Sequence, residues 1–424
     1  MELKELKRFI LAKMLNINDL NHFGNDEAST MLGHRSGVAT RLKKLNPFIT
    51  ENHCIAHRLH LAGEDAADQV PYFKTYDKIL KNIYGYFSSF YKRLLNLKLI
   101  QNTLEEPELV LLKIISTRWL SFSNVINNFH QIIESVKGAL LDDSIQNNTA
   151  LELLSTIDEE FEIITMFLAD FFFILSKLIR AFQLDHVTLS DVQNNINITI
   201  EVIQTQFIGN DGINPTYGTN LQDYLSQHNI PISNIPSFIS DFANAIIISL
   251  KNRFPDRELY WAMRIYDPQQ LPTNNKDLIN YGEKEINILC DFYGTEKEQD
   301  NTTFDPLLDK KALKSEWGLV KLFLKNYQNL HFTEAWQKIF SQTSFISDYP
   351  TTTTLVKIIL ITPISNANVE RVFSQQNLIK TRIRNQMNLE TLNYHLIVKL
   401  NGPSIDLFNF ELAFDHWYSK ERRV

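Results

Sequence analysis

Residues 363 to 374 read Pro-Ile-Ser-Asn-Ala-Asn-Val-Glu-Arg-Val-Phe-Ser, which sets one acid, Glu370, inside an apolar stripe and ahead of a basic run. Val369, Val372 and Phe373 recur at i, i+3 and i+4, so the spacing predicts a helix that buries one face, with Pro363 before it and Ser365 as its N-cap. On spacing alone Glu370 is a rim glutamate that pairs with Arg371 or a nearby lysine. A second cluster with chemical potential is His53, Cys54, His57 and His60, whose i, i+3 and i, i+4 spacings could share a helix face. The other cysteine, Cys290, is remote, and the local sequence lacks the partners of a closed tetrahedral zinc site.

Three blocks, in order, resemble the hAT superfamily of transposases, the zinc-finger or BED-type transposase-derived proteins included. The first runs from Asp26-Glu-Ala-Ser29 through Gly33, Gly37, Leu42 and Asn46-Pro47 to His53-Cys54-Ile-Ala-His57-Arg58-Leu59. The second is Thr117-Arg118-Trp119-Leu-Ser121, and the third is the Glu370 segment followed by Lys380-Thr381-Arg382-Ile383-Arg384-Asn385. The matches cover residues 20 to 62, 117 to 122 and 335 to 404. Ordered blocks are far more specific than a single pattern.

The resemblance implies DNA cleavage and strand transfer by carboxylates that hold two Mg²⁺ ions, hard cations that prefer oxygen ligands. Asp26 and Glu370 match two of the three family acids, and Cys54 and His57 take the role of bracing the strand beside Asp26. The third acid belongs upstream on a first strand, yet only 25 residues precede Asp26, and Glu2, Glu5 and Asp19 lie in no apolar strand pattern. The expectation is therefore a vestigial pair that binds Mg²⁺ weakly, no retained cofactor and no transposition by this chain alone. The alternative is a Mg²⁺-dependent transposase whose amino-terminal portion is absent from this sequence.

The fold expected from the resemblance is an α/β remnant of a discontinuous RNase H-like core, split by a large all-α insertion and predominantly helical overall. Residues 1–122 are its first part with the first strands missing, 123–340 the helical insertion, and 341–424 the C-terminal part with the hAT dimerisation region. Strands are expected at about 20–24 and 51–55, and an exposed edge there would invite pairing with another chain.

Periodicity supplies the helices. Stripes over 74–105 and 122–140 each predict a long helix, 161–182 is the most apolar segment, and 190–203 is β-branched but phased as a helix. Glycines and prolines over 208–236 mark a loop or a short excursion, as do 266–276 and 292–312. Near the end, Asn388 reads as an N-cap, Leu389, Leu392, Leu396, Ile397 and Leu400 form an apolar face, and Asn401-Gly402-Pro403 terminates the helix. Such a stripe usually means intramolecular core. Here Phe408, Phe410, Phe414 and Trp417 add apolar surface that a small core would not bury, so self-association through this face is expected, as the resemblance also implies.

Composition sets outer bounds. With 424 residues, 44% hydrophobic and 11% aromatic, the chain can build a sizeable core. Two cysteines exclude a disulfide framework, and no signal-like or membrane-spanning run occurs, because Asp170 interrupts the most apolar stretch. The net charge of −7 argues against diffuse binding to nucleic acid. Residues 34–62 nevertheless carry five Arg and Lys against Glu51 alone, which suits either a DNA-facing surface or a solvated helix face. The DNA-contact candidates are Arg118, Trp119, Lys380, Arg382 and Arg384; Trp119 reads as a core residue ahead of a base-stacking platform. The expected partners are a second copy and DNA or chromatin, with no membrane and no small-molecule substrate, and by resemblance the location is the nucleus. A helical scaffold of unrelated origin is the remaining, third reading.

Overall fold

A computed structural model describes residues 16–25, 31, 33, 37–114, 119–184, 187–209, 212–255 and 257–419, without the side chains of 119–121. Two units emerge, Met1–Ser365 and Asn366–Val424.

In the first unit the chain begins as a small βαβ arrangement. Strands β1 (His22–Asn25) and β2 (Thr50–His53) pair in parallel with His22 opposite Thr50 and Asn25 opposite His53. The crossover contains the helix Val38–Leu45, whose Val38, Ala39 and Leu42 turn inward. Parallel neighbours need such a crossover because a two-residue hairpin cannot reverse the chain twice. Both strands fall within a residue or two of the expected positions.

This pair is fastened to the far end of the unit. His22 Nε2 lies 2.7 Å from the Ile358 carbonyl and its Nδ1 2.6 Å from Thr50 Oγ1. Burial holds the His22 pKa below its usual value, so the ring is neutral, Nε2–H donates to Ile358 and Nδ1 accepts from Thr50. Asn52 Nδ2 donates to the Pro363 carbonyl at 2.9 Å, and Ile55 N to that of Ile364 at 3.1 Å. Segments three hundred residues apart in sequence therefore meet at one small sheet.

Two apolar cores fill the unit. The larger is built by helices from Ile55–Gln69 to Phe238–Arg253 and is rich in phenylalanine: Phe73 stacks on Phe242 at 5.2 Å, and Phe167 meets Phe207 edge-on at 4.9 Å. At its centre runs Glu159–Phe182, which begins at Asp158, whose side chain accepts from Phe161 N. The second core gathers Tyr266, Trp317, Trp336 and Phe345 from helices between Glu258 and Leu360, and Phe48 reaches it from the amino-terminal part.

Buried carboxylates cap helices across these cores. Asp170, inside Glu159–Phe182, accepts from the backbone of Asn220 at 3.1 Å and of Leu221 at 3.0 Å, closing the start of Thr219–Gln227. Glu316 does the same for Pro350–Leu360 through Thr351 N and Thr352 N, at 3.1 and 2.6 Å. Each satisfies helix donors that would otherwise be orphaned in an apolar setting.

Several sequence expectations need correction. The 74–105 stripe is two helices, Pro71–Ser88 and Tyr91–Thr103, and Phe90 and Leu94 of that stripe are exposed. The 122–140 stripe likewise divides into Trp119–Phe129 and Ile133–Ser144. The expected loop at 208–236 contains the helix Thr219–Gln227. Segment 292–312 contains a hairpin, β3 (Lys297–Gln299) and β4 (Thr302–Phe304), turned by Asp300 and Asn301, both at positive φ.

Among the described residues no helix is long and apolar enough to cross a membrane.

Candidate dimerisation surface

The described residues of the second unit form three α-helices, Ala367–Ile379, Leu389–Asn401 and Phe410–Tyr418, with a short 3-10 turn, Ile405–Leu407, before the last. Local signals place their ends well. Asn388 Oδ1 accepts from Thr391 N at 2.7 Å and Asn409 Oδ1 from Leu412 N at 2.9 Å, and Gly402 follows the last turn of the second helix. The first helix starts one residue later than expected, at the cap residue Asn366 rather than Ser365.

These helices carry the wrong surface for a unit standing alone. The first packs on the second, yet Leu392, 5% exposed, is the one buried residue among those described in the unit. Of the expected stripe, Leu389, Ile397 and Leu400 are exposed and Leu396 is half-buried. The Val369 and Phe373 face, expected to be buried, is open too, which corrects the expectation for the Glu370 helix. The additional aromatics Phe408, Phe410, Phe414 and Trp417 are all exposed, with Phe414 5.9 Å from Trp417.

Sequence reading missed Tyr394 and Val398, which lie on the opposite side of the Leu389–Asn401 helix and are exposed as well, Val398 by 70%. The available signal was that this helix is apolar almost all round, a pattern that belongs to buried helices. A helix of this composition needs cover on more than one face.

The expected catalytic pair is not assembled by the described residues. Asp26 lies outside them. Glu370 is exposed in the first turn of Ala367–Ile379, where its charge complements the helix amino end, and the neighbouring Arg371 donates to Asn368 Oδ1. Among the described residues no three His, Cys, Asp or Glu side chains converge as a metal cage. Glu370 is then the sole described member of the Mg²⁺ donor set, and no chemical step is derived through the ion.

The residues expected to brace Asp26 are better defined. Cys54 is buried, and its N–H donates at 3.0 Å to the carbonyl of Asn25, the residue before Asp26. The His57 ring lies 5.2 Å from that of His53 and 6.3 Å from that of His60, and His60 Nε2 sits 3.2 Å from Glu64.

Of the DNA-contact candidates, Arg118 and the Trp119 side chain lie outside the described residues. Lys380, Arg382 and Arg384 are exposed in the turn between the first two helices of the unit. The basic stretch 34–62 is less open than its sequence suggests. Arg58 is buried and donates to the Arg253 carbonyl at 2.5 Å, and Lys43 pairs with Glu51 at 3.1 Å, while Arg41 and Lys44 face outward.

Residues 323–401, about a fifth of the chain, match the hAT family C-terminal dimerisation region. That segment covers the last helices of the first unit and the first two of the second, including the whole Leu389–Leu400 stripe. Over that segment the chain is similar to hAT-family transposases.

Proposed function

We propose that this transposase-derived protein works as a homodimer joined through its carboxyl-terminal helices. The observation that carries this reading is the apolar surface of Leu389–Asn401 and Phe410–Tyr418, left open with a single buried residue between them. Exposed apolar surface on this scale marks an association site. Equilibrium sedimentation of the full chain tests it: a dimer is expected, and a monomer at about tens of micromolar, the weak end of specific interfaces, overturns it.

The finer parts of the reading follow the resemblance. Residues 1–122 and 341–424 form the remnant of an RNase H-like core around the 123–340 insertion, a view supported by the bonds from His22, Asn52 and Ile55 to residues 358–364. Lys380, Arg382 and Arg384 give the dimer a contact to DNA or chromatin in the nucleus. Cys54 and His57 brace the strand that leads to Asp26.

A second reading keeps the chemistry: Asp26 and Glu370 serve a Mg²⁺-dependent transposase. The bond from Cys54 N to Asn25 favours it, because it fixes the backbone one residue from Asp26. Cleavage of a DNA substrate that needs Mg²⁺ and vanishes in both Asp26→Asn and Glu370→Gln would establish this activity.

A further inference from the structure

Away from the carboxyl-terminal surface, a cleft of about 450 Å³ opens between the helix Leu189–Phe207 and the end of Phe238–Arg253. Its floor is apolar, made by the buried Ile196 and Phe254, the half-buried Ile200 and the exposed Pro255. Among the described lining residues the polar groups are three carboxamides, Gln193, Asn197 and Gln204, one acid, Glu201, and one cation, Lys251. Gln193, Asn197, Glu201 and Gln204 stand at i, i+4, i+8 and i+11, so they form one ridge along the helix.

The ridge is satisfied only in part. Gln193 Nε2 donates to Asn197 Oδ1 at 3.1 Å, which leaves Gln193 Oε1 as an acceptor and Asn197 Nδ2 as a donor. That pair complements one peptide N–H and one peptide C=O. The Gln204 side chain has no hydrogen-bond partner among the described residues. It stands seven residues beyond Asn197, about 10 Å along the axis, the reach of three extended residues. Asn197 also breaks the local rule against asparagine in mid-helix, a breach expected at functional positions.

Glu201 and Lys251 are both exposed, and among the described residues neither side chain has an ion-pair or hydrogen-bond partner, so they line one cleft without closing on each other. The charges around them are engaged elsewhere or lie outside the lining. Asp191, at the start of the same helix, accepts from Thr188 N at 2.8 Å and meets His331 at 3.1 Å. Arg253 pairs with Asp65 at 2.7 Å, Arg257 donates to the Glu51 carbonyl at 2.9 Å, and Arg58 lies 4.6 Å over the Phe254 ring. Arg58, Arg257 and Arg264 line an adjoining cavity, Glu258 and Asp267 line neither, and Asp256 lies outside the described residues.

A donor and an acceptor on one wall, an apolar floor and opposite charges on two helices match an extended peptide better than a small solute. The ridge can pair backbone N–H and C=O groups, while an apolar side chain covers Ile196 and Phe254. A basic and an acidic side chain then meet Glu201 and Lys251. We propose that this cleft holds an extended segment of a partner protein, in which an aliphatic residue is flanked by one basic and one acidic residue. The carboxamides read backbone, so the remaining sequence of the segment is free to vary.

Titration calorimetry of the full chain with two blocked pentapeptides, acetyl-Lys-Ala-Leu-Ala-Glu-amide and the same residues in reverse order, tests the assignment. The two orders cover both directions along the cleft. At least one is expected to saturate with a Kd below about 1 mM. Asn197→Ala and Gln204→Ala should each weaken it about fivefold, the effect of one lost hydrogen bond. Glu201→Lys should weaken it about tenfold, and exchange of the peptide's lysine for glutamate should restore binding to that variant. These positions are exposed or half-buried, and circular dichroism checks that each variant folds. Failure of both peptides to bind, full affinity in Asn197→Ala and Gln204→Ala, or no recovery in the charge exchange overturns the proposal. Equal affinity for free leucine overturns it too, and would mark a site for an amino acid instead.

Discussion

Leu392 and Ile397 lie five residues apart on one helix, yet Leu392 is buried against its own unit while Ile397 is 48% exposed. The helix therefore presents two apolar surfaces, one consumed within the chain and one left over. That division separates the residues that fold the unit from those that join it to a partner.

Ile397→Asp combined with Leu400→Asp should shift the sedimentation profile from dimer to monomer with helix content per chain reduced only in the second unit. Charging the centre of an apolar interface costs about 2 kcal/mol or more, close to thirtyfold in Kd. Leu392→Ala is the contrasting variant. It leaves a cavity inside the unit, and a buried Leu→Ala change costs about 2–5 kcal/mol of stability at any protein concentration.

Folding of this unit should itself depend on concentration. Its helices have 13, 13 and 9 residues, lengths that are marginal in water without tertiary cover. Amide exchange is expected to be fast over residues 367–418 under dilute conditions and to slow by at least tenfold as the dimer forms. Protection that is independent of concentration would show that these helices are covered within a single chain.

The physical reasons for what the sequence revealed differ by element. The Leu389–Asn401 helix was legible because its start and stop are local: Asn388 caps it and Gly402-Pro403 ends it. Strands β1 and β2 were legible as short segments, each close to its expected place. The Thr219–Gln227 helix was hidden, since its cap comes from Asp170, fifty residues away on another helix, and no local rule registers it. The break near Phe90 was hidden too, because the apolar phase runs on through it without a glycine or proline. At the candidate site, the stripe itself was readable, but its exposure was not: a face that packs inside a chain and one that packs against a second copy have the same spacing.

Asp170 allows a direct test of the distant cap. Asp170→Ala would strip acceptors from the Asn220 and Leu221 N–H groups in a buried setting, with an expected loss of about 2–4 kcal/mol measured by urea unfolding. Burial raises the Asp170 pKa above the usual carboxylate value, with the hydrogen bonds from Leu221 and Asn220 opposing that rise. Between the ordinary and the raised pKa the folded chain binds more proton than the unfolded one, so this group's contribution to stability falls as pH climbs through that window. Asp170→Asn should remove that slope from the midpoint-versus-pH curve.

Lys297 predicts the opposite slope at alkaline pH. It sits between the Phe292 and Phe48 rings at 3.6 and 4.3 Å, donates to the Pro47 carbonyl at 3.2 Å, and is pushed down by burial to about 8. The aromatic faces and the carbonyl favour the ammonium, so they oppose that shift without reversing it. Between about 8 and the ordinary value of 10.5 the unfolded chain binds more proton than the folded one. Stability should then gain from this residue as pH rises through that window, against whatever the other groups contribute. Lys297→Met, which keeps the apolar stem between the two rings, is expected to abolish that gain in thermal melts taken from pH 7.5 to 10. An identical pH dependence in the variant would place the ammonium in water and refute the buried position.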